Sequence, residues 1–166
     1  NTTPALDKTY PLFVDMINKG VKTVSMEASS EGILFERIRG IEFNCSIITN
    51  ITKEHMNHHH TLENYIDCKC ELFRNTIGPC ILNKDDEYQV KYKIKNTCKV
   101  KWISIDNPKA DIIANDIKID SSGMDFNVFF KNENINYRFQ TKLLGTANIY
   151  NILGAIALAY HKGMTL

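Results

Sequence analysis

Neither sign of charge dominates this sequence. Twenty lysines and arginines face nineteen aspartates and glutamates, a formal net charge of +1, so no global field marks a binder of nucleic acid or of an anionic membrane surface. Long apolar runs are lacking too. The longest near the C-terminus, residues 152–160, is too short to cross a bilayer, and no basic stretch followed by apolar residues opens the chain. A soluble cytoplasmic protein is expected. There is no internal repeat and no low-complexity tract. The five cysteines, Cys45, Cys68, Cys70, Cys80 and Cys98, are an odd set without the regular spacing of a small secreted scaffold, so reduced thiols are expected. An initiator methionine is lacking as well: the chain opens on Asn1-Thr2-Thr3-Pro4, as expected of a piece of a larger gene product.

What is present suits one domain. The 166 residues with 43% hydrophobic content can bury one sizeable core. Apolar residues Leu12, Phe13, Met16 and Ile17 predict a helix over 6–19 that stops at Gly20. Buried strands are predicted at 21–28 and 44–49, with a short serine-capped helix over 29–37 between them. Leu62, Tyr65, Ile66 and Leu72 share a helix face over 61–73. Strands follow at 79–82 and 100–105, with a weaker helix over 85–95. Such alternation implies right-handed crossovers and an α/β fold, a mostly parallel sheet flanked by helices. Three runs, 112–119, 124–130 and 135–142, are joined by Ser121-Ser122-Gly123 and by Lys131-Asn132-Glu133-Asn134; they predict a small antiparallel three-stranded meander. An Ala-rich apolar helix over 148–161 should close the chain, with Asn148 as its cap.

Four segments carry chemistry, each where a strand ends or a helix begins, the place where open α/β sheets bind ligands. Met26-Glu27-Ala28-Ser29-Ser30 offers a carboxylate and two hydroxyls to a hard cation or a polar substrate. Thr49-Asn50-Ile51-Thr52-Lys53-Glu54-His55 places His55 beyond another strand, followed by His58, His59 and His60. Lys69 lies within the otherwise apolar helix over 61–73; the bland alternative is a helix-edge lysine with its ammonium in water. Gly145-Thr146-Ala147-Asn148-Ile149-Tyr150-Asn151 is a glycine turn feeding a helix whose asparagines could meet a purine edge.

In order and spacing these segments resemble the central domain of the Mur ligase family, over nearly the whole chain. The carrying residues are Thr2-Thr3-Pro4, the block from Met26 to Leu34, the block from Thr49 to Asn57, Lys69 fourteen positions beyond His55, Leu82-Asn83-Lys84-Asp85-Asp86, and the Gly145 to Asn151 block, which fits Gly-x-x-Asn-x-x-Asn. They are most similar to the members that extend UDP-MurNAc-L-Ala-D-Glu. The resemblance implies a P-loop NTPase-like domain of a monomeric enzyme that uses ATP to form an amide bond through an acyl phosphate. It implies that Asn1, Thr2, Thr3, Ser29 and Arg37 contact the UDP-MurNAc-peptide, that Glu27 and His55 bind magnesium, and that Asn148 and Asn151 lie near adenine. It further implies that Lys69 reacts with carbon dioxide to become a carbamate ligand of a second magnesium ion.

Departures from the family pattern are Glu31 in place of His, Phe35 in place of a substrate-binding Gln, Ala147 before the first Asn, and Asp67-Cys68 before Lys69. The glycine-rich phosphate loop, Gly-x-x-Gly-Lys-Thr, is not in this chain. Neither is anything like the family's uridine-binding N-terminal domain or amino-acid-binding C-terminal domain. The chain on its own is therefore expected to be inactive. Three alternatives stand beside this reading: a folylpolyglutamate or cyanophycin synthetase type of the same fold, a zinc module built from His58, His59, His60, Cys68 and Cys70, and a non-catalytic interaction module.

Overall fold

The computed structural model describes residues 2–52, 56–92 and 98–164. The chain forms one six-stranded sheet in the order β1-β2-β3-β4-β5-β6, with β1 Ser46–Ile48, β2 Pro79–Asn83, β3 Lys99–Ser104, β4 Ile112–Asp120, β5 Gly123–Phe130 and β6 Ile135–Thr141. The first four pair parallel. The last three form the antiparallel meander, continuous with the parallel part of the sheet.

The β3–β4 pairing explains how two parallel neighbours need no long crossover. Ile112 sits opposite Ile103, so β4 starts where β3 is ending and runs on past it. Asp111 fastens this stagger: its N–H donates to the Trp102 carbonyl at 2.9 Å, and its carboxylate accepts the Trp102 N–H at 2.8 Å.

Helices are α1 Leu6–Asn18, α2 Ser30–Leu34, α3 Met56–His59, α4 Leu62–Arg74 and α5 Thr146–His161. Thr61 caps α4 by accepting the Asn64 N–H at 3.2 Å. Strand β2 is buried on both faces because α4 and α5 lie on opposite sides of it. Cys80 and Leu82 join the α4 side with Ile66 and Phe73, while Ile81 joins Ile149 and Leu153 of α5. Each fully buried branched side chain contributes about 1.5–3 kcal/mol. The fit on the α5 side is close. A Cβ on Gly154 would lie 3.0 Å from Cγ2 of Ile47, so glycine lets that helix settle against β1.

Three sequence expectations need correction. Residues 21–28 form no strand: their β-branched content suits one, but no described segment pairs with them. The helix expected over 85–95 is a single 3₁₀ turn, Gln89–Lys91, and its remainder from 93 lies outside the described residues; Asp86 instead accepts the Tyr88 N–H at 2.7 Å in an Asx turn. Finally, the cysteines are not all free thiols. Cys80 and Cys98 form a disulfide because β2 and β3 are neighbours, whereas Cys45, Cys68 and Cys70 remain thiols.

The first helix differs from the others in cover. Tyr10, Leu12, Val14 and Ile17 are all exposed, Ile17 at 71%, with Tyr10, Val14 and Ile17 on one side of the helix and the Tyr10 hydroxyl donating to the Arg39 carbonyl. No helix is long and apolar enough to cross a membrane.

Candidate active site

The N-terminal segment and the 26–37 segment are joined through one buried hydroxyl. Thr3 is fully buried. Its Oγ1 donates to the Glu27 carbonyl at 2.9 Å, accepts the Ser29 N–H at 2.9 Å and lies 3.1 Å from Ser29 Oγ. Ser29 in turn caps α2 by accepting the Gly32 N–H at 3.0 Å. Gly32 is required there, since a Cβ would come within 2.6 Å of the Thr3 side chain. Arg37 donates to the Thr3 carbonyl at 3.2 Å and stacks over Phe35. Thr2 is exposed beside this joint, and Asn1 lies outside the described residues.

Glu27 projects from the same segment. Its backbone is held by Thr3, while its carboxylate is exposed and has no partner among the described residues. Acceptor-only oxygens free of protein donors are what a hard cation requires. His55, the other expected ligand, lies outside the described residues. Among the described residues no three His, Cys, Asp or Glu side chains gather as a metal-holding group. The residues of the zinc alternative are separated: His58 lies 3.3 Å from Glu31, His59 is buried against Tyr65, Cys68 donates to the Ser30 carbonyl, and Cys70 lies in the core under α4.

Lys69 is half-buried on α4, its Nζ 5.8 Å from the centre of the Tyr65 ring. Because Cys68 bonds Ser30 at 3.3 Å and Leu72 packs with Ile33 and Ile38, α4 lies directly on α2. The lysine's helix and the Ser29 turn are thus one packed unit. Burial and the low polarity of that contact raise the Cys68 thiol pKa.

The third group stands at the start of α5. Gly145, with φ of +92°, makes the turn and occupies the cap position itself. The expected cap, Asn148, sits one turn inside and donates its side-chain N–H back to the Leu144 carbonyl at 2.8 Å. Asn151 Nδ2 donates to Asn148 Oδ1 at 3.2 Å. The two amides form a series that leaves the Asn151 oxygen and one N–H of each for a ligand.

Sequence reasoning assigned no role to Asp85 and Asp86, although it noted their block. Both sit just past β2 and are fully engaged. Asp85 accepts from Ser104 Oγ, the Ile105 N–H and the Tyr150 hydroxyl at 2.6, 2.7 and 3.0 Å. Asp86, 6% exposed, accepts from the Ile51 N–H at 2.6 Å and the Tyr92 hydroxyl at 2.9 Å. Asn83 adds a donation to the Thr49 carbonyl at 2.8 Å. The only signal in the sequence was a pair of carboxylates at a strand end.

This geometry, with candidate groups on the 26–37 segment, on α4 and at the start of α5, can be set against known proteins. A family model described as the Mur ligase middle domain matches residues 1–159. The UDP-N-acetylmuramoyl-L-alanyl-D-glutamate--2,6-diaminopimelate ligase of Clostridium tetani is 36% identical over 99% of this chain, which covers 33% of that relative. A solved structure of a ligase of the same description superposes with a TM-score of 0.84 at 24% identity, covering 95% of this chain and 33% of its own. The MurF ligase of Thermotoga maritima in complex with ADP gives a TM-score of 0.63 at 10% identity, covering 84% and 32%. The chain thus spans about a third of the length of the relatives it matches, and over that third it belongs to the Mur ligase family as a middle domain.

Proposed function

We propose that this chain is the central domain of a cytoplasmic, monomeric, ATP-dependent ligase that adds an amino acid to UDP-MurNAc-L-Ala-D-Glu in peptidoglycan synthesis. Other domains of the same polypeptide would hold the uridine end of the acceptor and the incoming amino acid. The observation that carries this reading is the packing of α4 on α2, which joins the helix of Lys69 to the turn presenting Ser29 and Arg37. Identity to diaminopimelate ligases along the whole chain supports it and makes 2,6-diaminopimelate the first amino acid to assay.

In the reaction, the D-Glu carboxylate takes the γ-phosphoryl group of ATP, forming the acyl phosphate as the bond to the β-phosphate breaks and ADP leaves. The amine then attacks the acyl phosphate carbon, and phosphate leaves from the tetrahedral intermediate. Asn1, Thr2, Ser29 and Arg37 orient the acceptor, while Thr3, its hydroxyl already committed, works by fixing Ser29. Asn148 and Asn151 present amide groups to adenine. Glu27 and His55 would hold one magnesium ion and a carbamylated Lys69 a second, the ions offsetting phosphate charge during transfer. For the carbamate, the neutral Lys69 amine adds to carbon dioxide, a nitrogen–carbon bond forms and one proton is released.

The test is Lys69→Ala in the full-length protein, assayed for ADP and the extended UDP-peptide. Turnover should fall by at least about 10²-fold, the loss typical when one element of charge stabilisation is removed. Acetate or formate should restore part of it by filling the emptied space, and Lys69→Arg should not be rescued. Turnover near that of the parent protein in Lys69→Ala would refute the assignment.

A further inference from the structure

We infer that Asp85 and Asp86 are positioning residues that hold the loop after β1 and the first turns of α5 separately from a single strand end. The inference rests on the ligase reading above and adds roles for Asp85, Asp86, Tyr92 and Tyr150.

The two carboxylates are consecutive, yet they serve different elements. Asp86 turns toward the loop after β1. It accepts the Ile51 N–H and the Tyr92 hydroxyl on one oxygen, and the Tyr88 N–H on the other. Together with the Asn83 amide on the Thr49 carbonyl, this pins the loop that leads into residues 53–55, the segment carrying His55. Asp85 turns toward the other side. It gathers Ser104 and Ile105 at the end of β3 and the hydroxyl of Tyr150 on α5. Tyr150 lies between Asn148 and Asn151 in sequence, so Asp85 sets the rotation and height of the helix turn that presents both amides.

Hydrogen bonds to an ionised acceptor are short and strong, and a buried carboxylate with several donors has one low-energy orientation. Asp86 is nearly fully buried, which makes its three donors necessary rather than decorative. The Tyr92 and Tyr150 hydroxyls are held protonated by burial and by the adjacent carboxylates, so each remains a donor across the working pH range. The Asn83 side chain also accepts the Asp85 N–H at 2.9 Å, which fixes the turn that sends the two carboxylates apart. One short segment therefore sets the loop after β1 and the start of α5, through separate hydrogen bonds.

The test compares Tyr92→Phe, Tyr150→Phe and Asp86→Asn in the full-length protein. Each phenylalanine removes one hydroxyl and keeps the ring packing. Tyr92→Phe and Asp86→Asn should raise the magnesium requirement several-fold to about tenfold, leaving the ATP KM within about twofold. Tyr150→Phe should do the reverse. Hydrogen exchange read by mass spectrometry supplies a second readout without turnover: Tyr92→Phe should speed exchange in residues 49–52 only, and Tyr150→Phe in residues 146–151 only. Equal changes in the magnesium requirement and the ATP KM, or equal exchange in both segments, would mean a general loss of stability and overturn the inference. If the parent protein shows no ligase turnover, the ligase reading fails, and the exchange pattern alone decides whether the two carboxylates act separately. Should Asp86→Asn not fold, the two phenylalanine variants decide the matter.

Discussion

The two halves of the sheet use apolar residues differently. All five residues of β2 are buried, with α4 on one face and α5 on the other. No residue of β6 is buried, and β5 alternates between core and half-exposed positions. Parallel strands joined by crossovers leave their carboxyl ends open to long loops, and the loops of Glu27, Thr49–Ile51 and Asp85–Asp86 lie in that half, with α5 beside it. The meander is closed by tight turns and carries none of the candidate residues. The candidate residues follow the connections between strands more than the strands themselves.

The largest test of this contrast is Ile81→Ala. A fully buried isoleucine between β2 and α5 should cost about 4 kcal/mol in denaturant unfolding, and a loss below about 1 kcal/mol would show that the two-sided core is less decisive than its burial implies. Next comes the disulfide, also confined to the parallel half. Cys80 and Cys98 enclose a separation of 18 residues, for which loop entropy gives about 3 kcal/mol. Reduction should therefore lower the thermal midpoint clearly, and identical melting of oxidised and reduced protein would remove the disulfide as a source of stability. The smallest effect belongs to the meander. Arg138 pairs with Asp125 at 2.7 Å, the arginine exposed and the aspartate half-buried, and the contact lowers the carboxyl's pKa and raises the guanidinium's. Surface pairs of this kind add little, so Arg138→Ala should leave the melting temperature unchanged within error; a large drop would mean that the meander depends on its charged face.

Much of the fold was legible because periodicity and caps are local. Helix α4 announced itself through Leu62, Tyr65, Ile66 and Leu72, and the meander through the Ser121-Ser122-Gly123 turn. Residues 21–28 misled because β-branched content says what a segment tolerates, while a strand exists only when a neighbour supplies its hydrogen bonds. Asn148 was misjudged as a cap because Gly145, with its positive φ, already makes the turn. The disulfide could not be seen until β2 and β3 were known to be neighbours. In the candidate site, the residue types at Glu27, Ser29, Lys69 and Asn151 could be read from motif spacing. The roles of Asp85 and Asp86 could not, since their donors come from the β1 loop, β3, α5 and the segment after β2.

The pairing registers also impose an order in time. Asp120 meets Gly123 and Phe130 meets Ile135, contacts that a chain finds by closing very short loops. Ser46 must wait for Cys80 across α3 and α4, and Cys80 for Val100 across the segment after β2. Loop closure on that scale is slower and is rewarded only after the crossover is complete. The parallel half, which holds the candidate residues, is therefore expected to assemble last, against a meander that can already be in place.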